Sequence, residues 1–220
     1  MSFPFQHDSP ERQREAMVRL QLENRGIRDP RVLDAMRQVP RHEFVPEPFR
    51  PQAYEDRPLP IGENQTISQP YIVATMLERL ALQATDLVLE VGTGSGYVTA
   101  LLALLSAEVY SVERRAELAA LAEAALRRFN YRNVQIRVGD GSQGWPAYAP
   151  FDAILVSAAT AEIPPALFFQ LREDGRMIAP IGPSSSQELQ LIRKVDGKPR
   201  VTILEGCRFV PLLVGSPEND

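Results

Sequence analysis

The chain has 220 residues, 44% of them hydrophobic and 24% charged, which suits a globular protein able to bury one sizeable core. Its net charge of −4 supplies no global basic field to draw it to nucleic acid or to an anionic membrane. A lone cysteine, Cys207, excludes an intrachain disulfide, and with only two histidines it argues against a metal site.

The N-terminal run MSFPFQHDSPERQREAM has no basic stretch followed by an apolar one, so no signal peptide is expected. The apolar run at 100–105 falls far short of the roughly 18 to 20 residues that span a bilayer. A cytoplasmic location is the expectation.

Residues 10–25 read as a helix that Gly26 ends. Asp29 and Pro30 read as the N-cap and first-turn proline of a short helix running to Gln38, stopped by Pro40. Prolines then recur at 46, 48, 51, 58, 60 and 70 while apolar periodicity fades, which predicts a long loop with a functional role. Pro70 opens the next helix, where Ile72, Val73, Met76, Leu77 and Leu80 share one face.

Strands are then expected at 87–91, 108–112, 134–138, 151–156 and 176–181, with helices at 96–106, 114–129 and 164–171 between them. Such alternation implies right-handed crossovers and a doubly wound α/β domain around a mainly parallel sheet. Residues 187–195 and 201–210 have no helix between them and predict an antiparallel edge hairpin, for seven strands in all.

The strongest chemical signal is Leu87-Val88-Leu89-Glu90-Val91-Gly92-Thr93-Gly94-Ser95-Gly96-Tyr97, a buried strand running into three glycines and then a helix. Glycines there let the chain turn sharply and let a ligand lie against main-chain N–H groups at a helix start. A dinucleotide fingerprint would require Gly or Ala at 97, where this chain has Tyr97, and no Gly-Lys-Ser/Thr follows to make a triphosphate loop. The spacing resembles the first motif of class I S-adenosylmethionine-dependent methyltransferases. That resemblance implies cofactor contacts from Glu90, Gly92, Thr93, Gly94, Ser95 and Gly96.

Two further acids fall where such a fold needs them. Glu113 ends the second expected strand, 21 positions after Gly92, near the spacing for an acid that accepts ribose hydroxyls. Asp140, in Gly139-Asp140-Gly141, follows the third strand, where related methyltransferases meet the adenine amino group, and Gly141 is expected beside it.

Segments outside this loop carry a narrower resemblance. Arg41-His42-Glu43-Phe44-Val45-Pro46-Glu47, Ala53-Tyr54-Glu55-Asp56-Arg57-Pro58-Leu59-Pro60-Ile61-Gly62 and Gln65-Thr66-Ile67-Ser68-Gln69-Pro70 resemble the protein-L-isoaspartate O-methyltransferase family in order. So do Pro150-Phe151-Asp152-Ala153-Ile154 and Phe209-Val210-Pro211-Leu212; the resemblance spans roughly residues 10–214. Gln69, where many relatives carry Ala, is a mild departure.

The resemblance implies a monomeric cytoplasmic enzyme acting on isoaspartyl-containing proteins and peptides, with neither nucleic acid nor membrane as partner. It would methylate the isoaspartyl α-carboxylate, leaving S-adenosylhomocysteine. Ser68 matches the family's active-site serine, with Gln65, Thr66, Ile67, Val210, Pro211 and Leu212 against the substrate. On residues alone, Ser68 would be read as a cap for the helix at Pro70. Within one domain over 1–220, residues 1–82 form the helical and substrate-loop extension, 83–182 the cofactor core and 183–220 the edge strands. A class I methyltransferase for another acceptor, or a noncatalytic cofactor-binding module, is the alternative.

Overall fold

The computed structural model describes residues 9–215. The outermost parts of the expected 1–82 and 183–220 segments lie outside them. The first helix, α1 (Pro10–Met17), is capped by Ser9 and continues through a π turn at Val18–Leu22 and a 3-10 turn at Glu23–Arg25 until Gly26 ends it at φ 101°. In α2 (Pro30–Gln38) Asp29 takes the expected cap, its carboxylate accepting from the Arg31 N–H at 2.9 Å.

The proline-rich stretch is more ordered than a loop. It forms 3-10 turns at Arg41–Phe44 and Glu47–Gln52, then an antiparallel hairpin, β1 (Leu59–Gly62) and β2 (Gln65–Ile67). Glu63 and Asn64 make the hairpin turn at φ 49° and 54°, the left-handed pair that two-residue hairpin turns use. Leu59, Ile61 and Ile67 point into the core and fix the register. The helix α3 (Pro70–Leu80) follows.

The main sheet has seven strands: β3 (Leu87–Val91), β4 (Glu108–Glu113), β5 (Val134–Val138), β6 (Phe151–Val156), β7 (Leu171–Ile181), β8 (Gln187–Val195) and β9 (Lys198–Cys207). Their order is β5-β4-β3-β6-β7-β8-β9, parallel from β5 to β7 and antiparallel beyond. The chain winds outward from β3 through α4 (Tyr97–Leu105) and α5 (Ala116–Arg128), then returns to the other side of β3 as β6 and continues through α6 (Pro165–Gln170). This reversal puts α4 and α5 on one face with α2 and α3, and α6 on the other. Alternation along the strands serves both layers, with Val88 and Val109 in the first core and Leu89 and Tyr110 in the second.

Two expected boundaries are corrected. β7 begins at Leu171 rather than 176, because Leu171 pairs with Phe151 and an irregularity in the ladder absorbs the polar Arg172–Gly175 stretch. β9 runs from Lys198 to Cys207 rather than 201 to 210. The tight Asp196-Gly197 turn brings Lys198 opposite Val195, and the chain past Cys207 leaves the hairpin to pair with Ala159. Among the described residues no helix is long and apolar enough to cross a membrane.

Candidate active site

In an open α/β sheet ligands bind beyond the carboxyl ends of the strands, where the winding reverses. Here the reversal lies between β3 and β6, and a cavity opens there, past Val91 and Val156. The glycine loop forms one wall. Gly92, Gly94 and Gly96 all take positive φ, 93°, 53° and 86°. At Gly96 the reason is also space: a Cβ there would stand 3.1 Å from Ala122 Cβ, so only glycine lets α4 begin this close to α5.

Glu113, the last residue of β4, is 6% exposed and lines the cavity. Its carboxylate accepts from the Gly94 N–H at 2.8 Å and from the Arg115 N–H at 2.9 Å, fastening the loop to the strand end. An ionised carboxylate has about four lone-pair sites, so acceptors remain for a ligand diol. Val91, Val98, Val112 and Leu212 supply apolar wall beside it.

The opposite wall is the Gln65–Ser68 strap from β2. Its hairpin partner β1 packs on the glycine loop, with Ile61 Cδ1 standing 3.4 Å from where a Gly94 Cβ would be. The Ser68 hydroxyl is paired with no described residue, and Gln69, not Ser68, is the N-cap position of α3, without a side-chain cap. The capping work falls to Asp56, whose carboxylate accepts from the Tyr71 N–H at 3.0 Å and the Gln69 amide at 2.8 Å and pairs with Arg25 at 2.5 Å. Ser68 is thereby freed from the structural role that sequence reasoning alone would give it.

Behind the strap sits Arg41, a charged side chain with 0% exposure. Its Nη2 donates to the Ser68 carbonyl and its Nε to the Ala53 carbonyl, both at 2.8 Å, and the guanidinium lies 4.9 Å from the centre of the Tyr97 ring. Burial pulls it down to about 10, so it stays charged at neutral pH. Tyr97 lines the cavity directly after the glycine loop, so Arg41 ties strap and loop together. Arg41 opens one of the segments that carry the family resemblance, but no role for it follows from the sequence, since an arginine normally reads as surface.

The third wall is Val210–Leu213. Ala159 donates to the Val210 carbonyl and accepts from the Leu212 N–H, both at 2.7 Å, which fastens this segment to the chain that follows β6. Ser157 and Ala158, just past β6, also line the cavity and carried no signal beyond their place at a strand end.

Of the residues expected to act, Gln65, Thr66, Ile67, Ser68, Gly92, Thr93, Gly94, Ser95, Glu113, Gly141, Val210, Pro211 and Leu212 converge on this cavity. Glu90, Gly96 and Asp140 do not line it. Glu90 is fully buried and accepts from Thr99 and Ser111 hydroxyls at 2.6 and 2.7 Å, while Thr93 reaches Ser111 at 2.5 Å. Burial pushes the Glu90 carboxyl up to about 8 against the pull of those hydroxyls. Asp140 accepts from the Ser142 and Gly215 N–H groups at 2.9 and 2.8 Å, so it holds the turn at Gly141 and the chain past Leu213.

Comparison with known proteins agrees with this geometry. Residues 12–216 match the family model described as Protein-L-isoaspartate(D-aspartate) O-methyltransferase (PCMT). A protein-L-isoaspartate O-methyltransferase from Koribacter versatilis is 54% identical over 91% of this chain and 90% of its own. One from Methanoculleus marisnigri is 53% identical over 94% of each chain. A solved structure from Plasmodium falciparum, described as a putative protein-L-isoaspartate O-methyltransferase in complex with S-adenosyl-L-homocysteine, superposes with a TM-score of 0.81 at 30% identity, covering 91% of this chain and 98% of that one. Another solved protein-L-isoaspartate O-methyltransferase gives a TM-score of 0.81 at 30% identity, and this chain spans 65% of its length. Matched along nearly its whole described length, the chain belongs to the protein-L-isoaspartate(D-aspartate) O-methyltransferase family.

Proposed function

We propose that the chain transfers the methyl group of S-adenosylmethionine to the α-carboxylate of L-isoaspartyl residues in damaged proteins and peptides. The products are S-adenosylhomocysteine and a methyl ester, which starts repair by closing to a succinimide. The observation that carries this reading is one cavity walled by the glycine loop and Glu113 on one side and by the Gln65–Ser68 strap on the other.

The residues present fit the cofactor. Glu113 offers unused acceptor sites for a ribose diol, the apolar wall of Val98, Val112 and Leu212 suits a purine, and Gly92–Ser95 presents main chain to the amino-acid end. Gly141 lines the adenine end, with Asp140 holding its turn from behind, and Glu90 and Gly96 set the loop from outside the cavity. When bound, the cofactor supplies an electrophilic methyl on a sulfonium. Residues of this chain then have to place one carboxylate oxygen in line with it.

An isoaspartyl carboxylate is ionised at neutral pH, so no strong general base is needed. Positioning in a pocket that excludes water is the remaining task. Ser68, with Gln65, Thr66 and Ile67, holds the carboxylate by hydroxyl and main-chain donors, and Val210, Pro211 and Leu212 lie along the peptide. Of the expected segments, the described part of 1–82 brings the acceptor, 83–182 the cofactor, and the described part of 183–220 closes the edge. We read the protein as a cytoplasmic monomer that acts without nucleic acid or membrane, and the net charge of −4 supports the absence of these last two partners. Transfer of labelled methyl to an isoaspartyl peptide, as an ester that releases methanol in mild base, tests the assignment. A base-stable product overturns it.

A further inference from the structure

A groove leads away from the cavity on the side opposite the glycine loop. It shares Thr66, Ser68, Ser157 and Val210 with the cavity, so whatever carries the acceptor carboxylate to Ser68 continues into it. Ile72 and Phe209 give it apolar surface, and Gly206, whose absent Cβ would meet nothing within 4 Å, leaves it open.

Among the described residues, Arg208 is the only charged side chain lining this groove. It is exposed and makes no hydrogen bond or ion pair with another described residue, although Glu188 and Glu205 lie on the adjoining strands. The backbone that carries it is held firmly. The Phe209 N–H donates to Gln187 Oε1 at 2.6 Å, the Gln187 amide donates to the Phe209 carbonyl at 3.1 Å, and Val210 is held by Ala159 at 2.7 Å. A guanidinium with five N–H donors therefore springs from a fixed stretch of main chain beside the groove, and no described carboxylate of this protein answers it.

We propose that Arg208 is a specificity determinant, selecting isoaspartyl segments that carry an acidic side chain on one flank of the damaged residue. The inference rests on the proposed function, since it takes the groove's occupant to be the peptide joined to the acceptor carboxylate. The groove leaves the cavity on one side, so only one flank senses the charge.

The test uses isoaspartyl peptides matched except for Glu, Gln or Lys at each of the first three positions on either flank. At low salt the wild-type protein should favour Glu over Lys in kcat/KM by about tenfold, equivalent to about 1.4 kcal/mol, at positions on one flank only. The preference should shrink as salt is added. Arg208→Gln should flatten it and Arg208→Glu should reverse it. The ratio between peptides is read within each variant, so a general loss of activity does not blur the result. If the Gln-flanked peptides are methylated but the Glu-to-Lys ratio is the same in wild type and Arg208→Glu, the inference about Arg208 is wrong and the function stands. If wild type methylates no isoaspartyl peptide, the functional reading falls and this inference with it.

Discussion

Arg41 donates to the Ser68 carbonyl at 2.8 Å from a position with no exposure to solvent, so the residue proposed to hold the acceptor is itself held by a buried cation. Removing that side chain leaves two carbonyls, Ser68 and Ala53, without their donor.

Arg41→Met should therefore lower stability, at roughly 1–3 kcal/mol for each buried acceptor left unpaired. It should also lower kcat by on the order of 100-fold, as expected for a misplacement near 1 Å. Arg41→Lys, which keeps the charge and reaches one carbonyl, should recover part of the turnover. Steady-state kinetics beside calorimetric cofactor affinity check this; a loss confined to cofactor binding would contradict it.

Ser68 and Asp56 should separate cleanly. Asp56 supplies the acceptor at the start of α3, so Asp56→Ala should cost about 1 kcal/mol, near 2–4 °C in Tm. Ser68→Ala should leave Tm within a degree or so of the parent, lower turnover, and change cofactor affinity by no more than a few-fold. A Ser68→Ala protein with normal turnover would refute its proposed role.

Much of this was legible in the sequence, for physical reasons. Buried parallel strands must be apolar along their length, so β3, β4 and β6 stand out, and the three glycines are demanded by backbone geometry and by Ala122. The β1–β2 hairpin was hidden because Pro58 and Pro60 break the expected strand pattern. The early part of β7 was hidden because Arg172–Gly175 looks like a turn. Ser68 read as a cap because sequence shows only neighbours, whereas the real cap, Asp56, comes from another turn of the chain. The bridging role of Arg41 was hidden for the same reason, as its partners lie 12 and 27 residues away.

Glu113→Ala should weaken S-adenosylmethionine binding by roughly 10- to 150-fold, from loss of charge-assisted hydrogen bonds worth about 1.5–3 kcal/mol. It also removes the Glu113 acceptor from the Gly94 and Arg115 N–H groups, so the loop loses this anchor. Isothermal calorimetry measures the effect, and added NAD should not compete. An unchanged affinity would remove Glu113 from the cofactor site.

Glu90 sets a pH dependence. With its carboxyl raised to about 8 in the folded protein, against about 4.3 unfolded, the folded state binds the extra proton between those values. Stability from this site therefore falls as pH rises through that window and levels above it. Glu90→Gln, which mimics the protonated acid, should gain in Tm relative to wild type as pH rises from about 4.5 to 8. A constant difference across that range would mean that Glu90 is already ionised in the fold.

The central claim is that this site recognises one carboxylate by its place on the backbone. Two peptides of identical sequence, one with L-isoaspartate and one with L-aspartate, differ only in which carboxyl carries the chain. In the isoaspartyl form the free α-carboxylate is one bond from the backbone carbon and the main chain is one methylene longer. A groove that fixes the flanking chain brings only that carboxylate into line beside Ser68, and a misplacement near 1 Å costs on the order of 100-fold in rate. Measured side by side, the isoaspartyl peptide should be methylated at least about 100-fold faster in kcat/KM than its aspartyl twin; equal rates for the two would contradict the account.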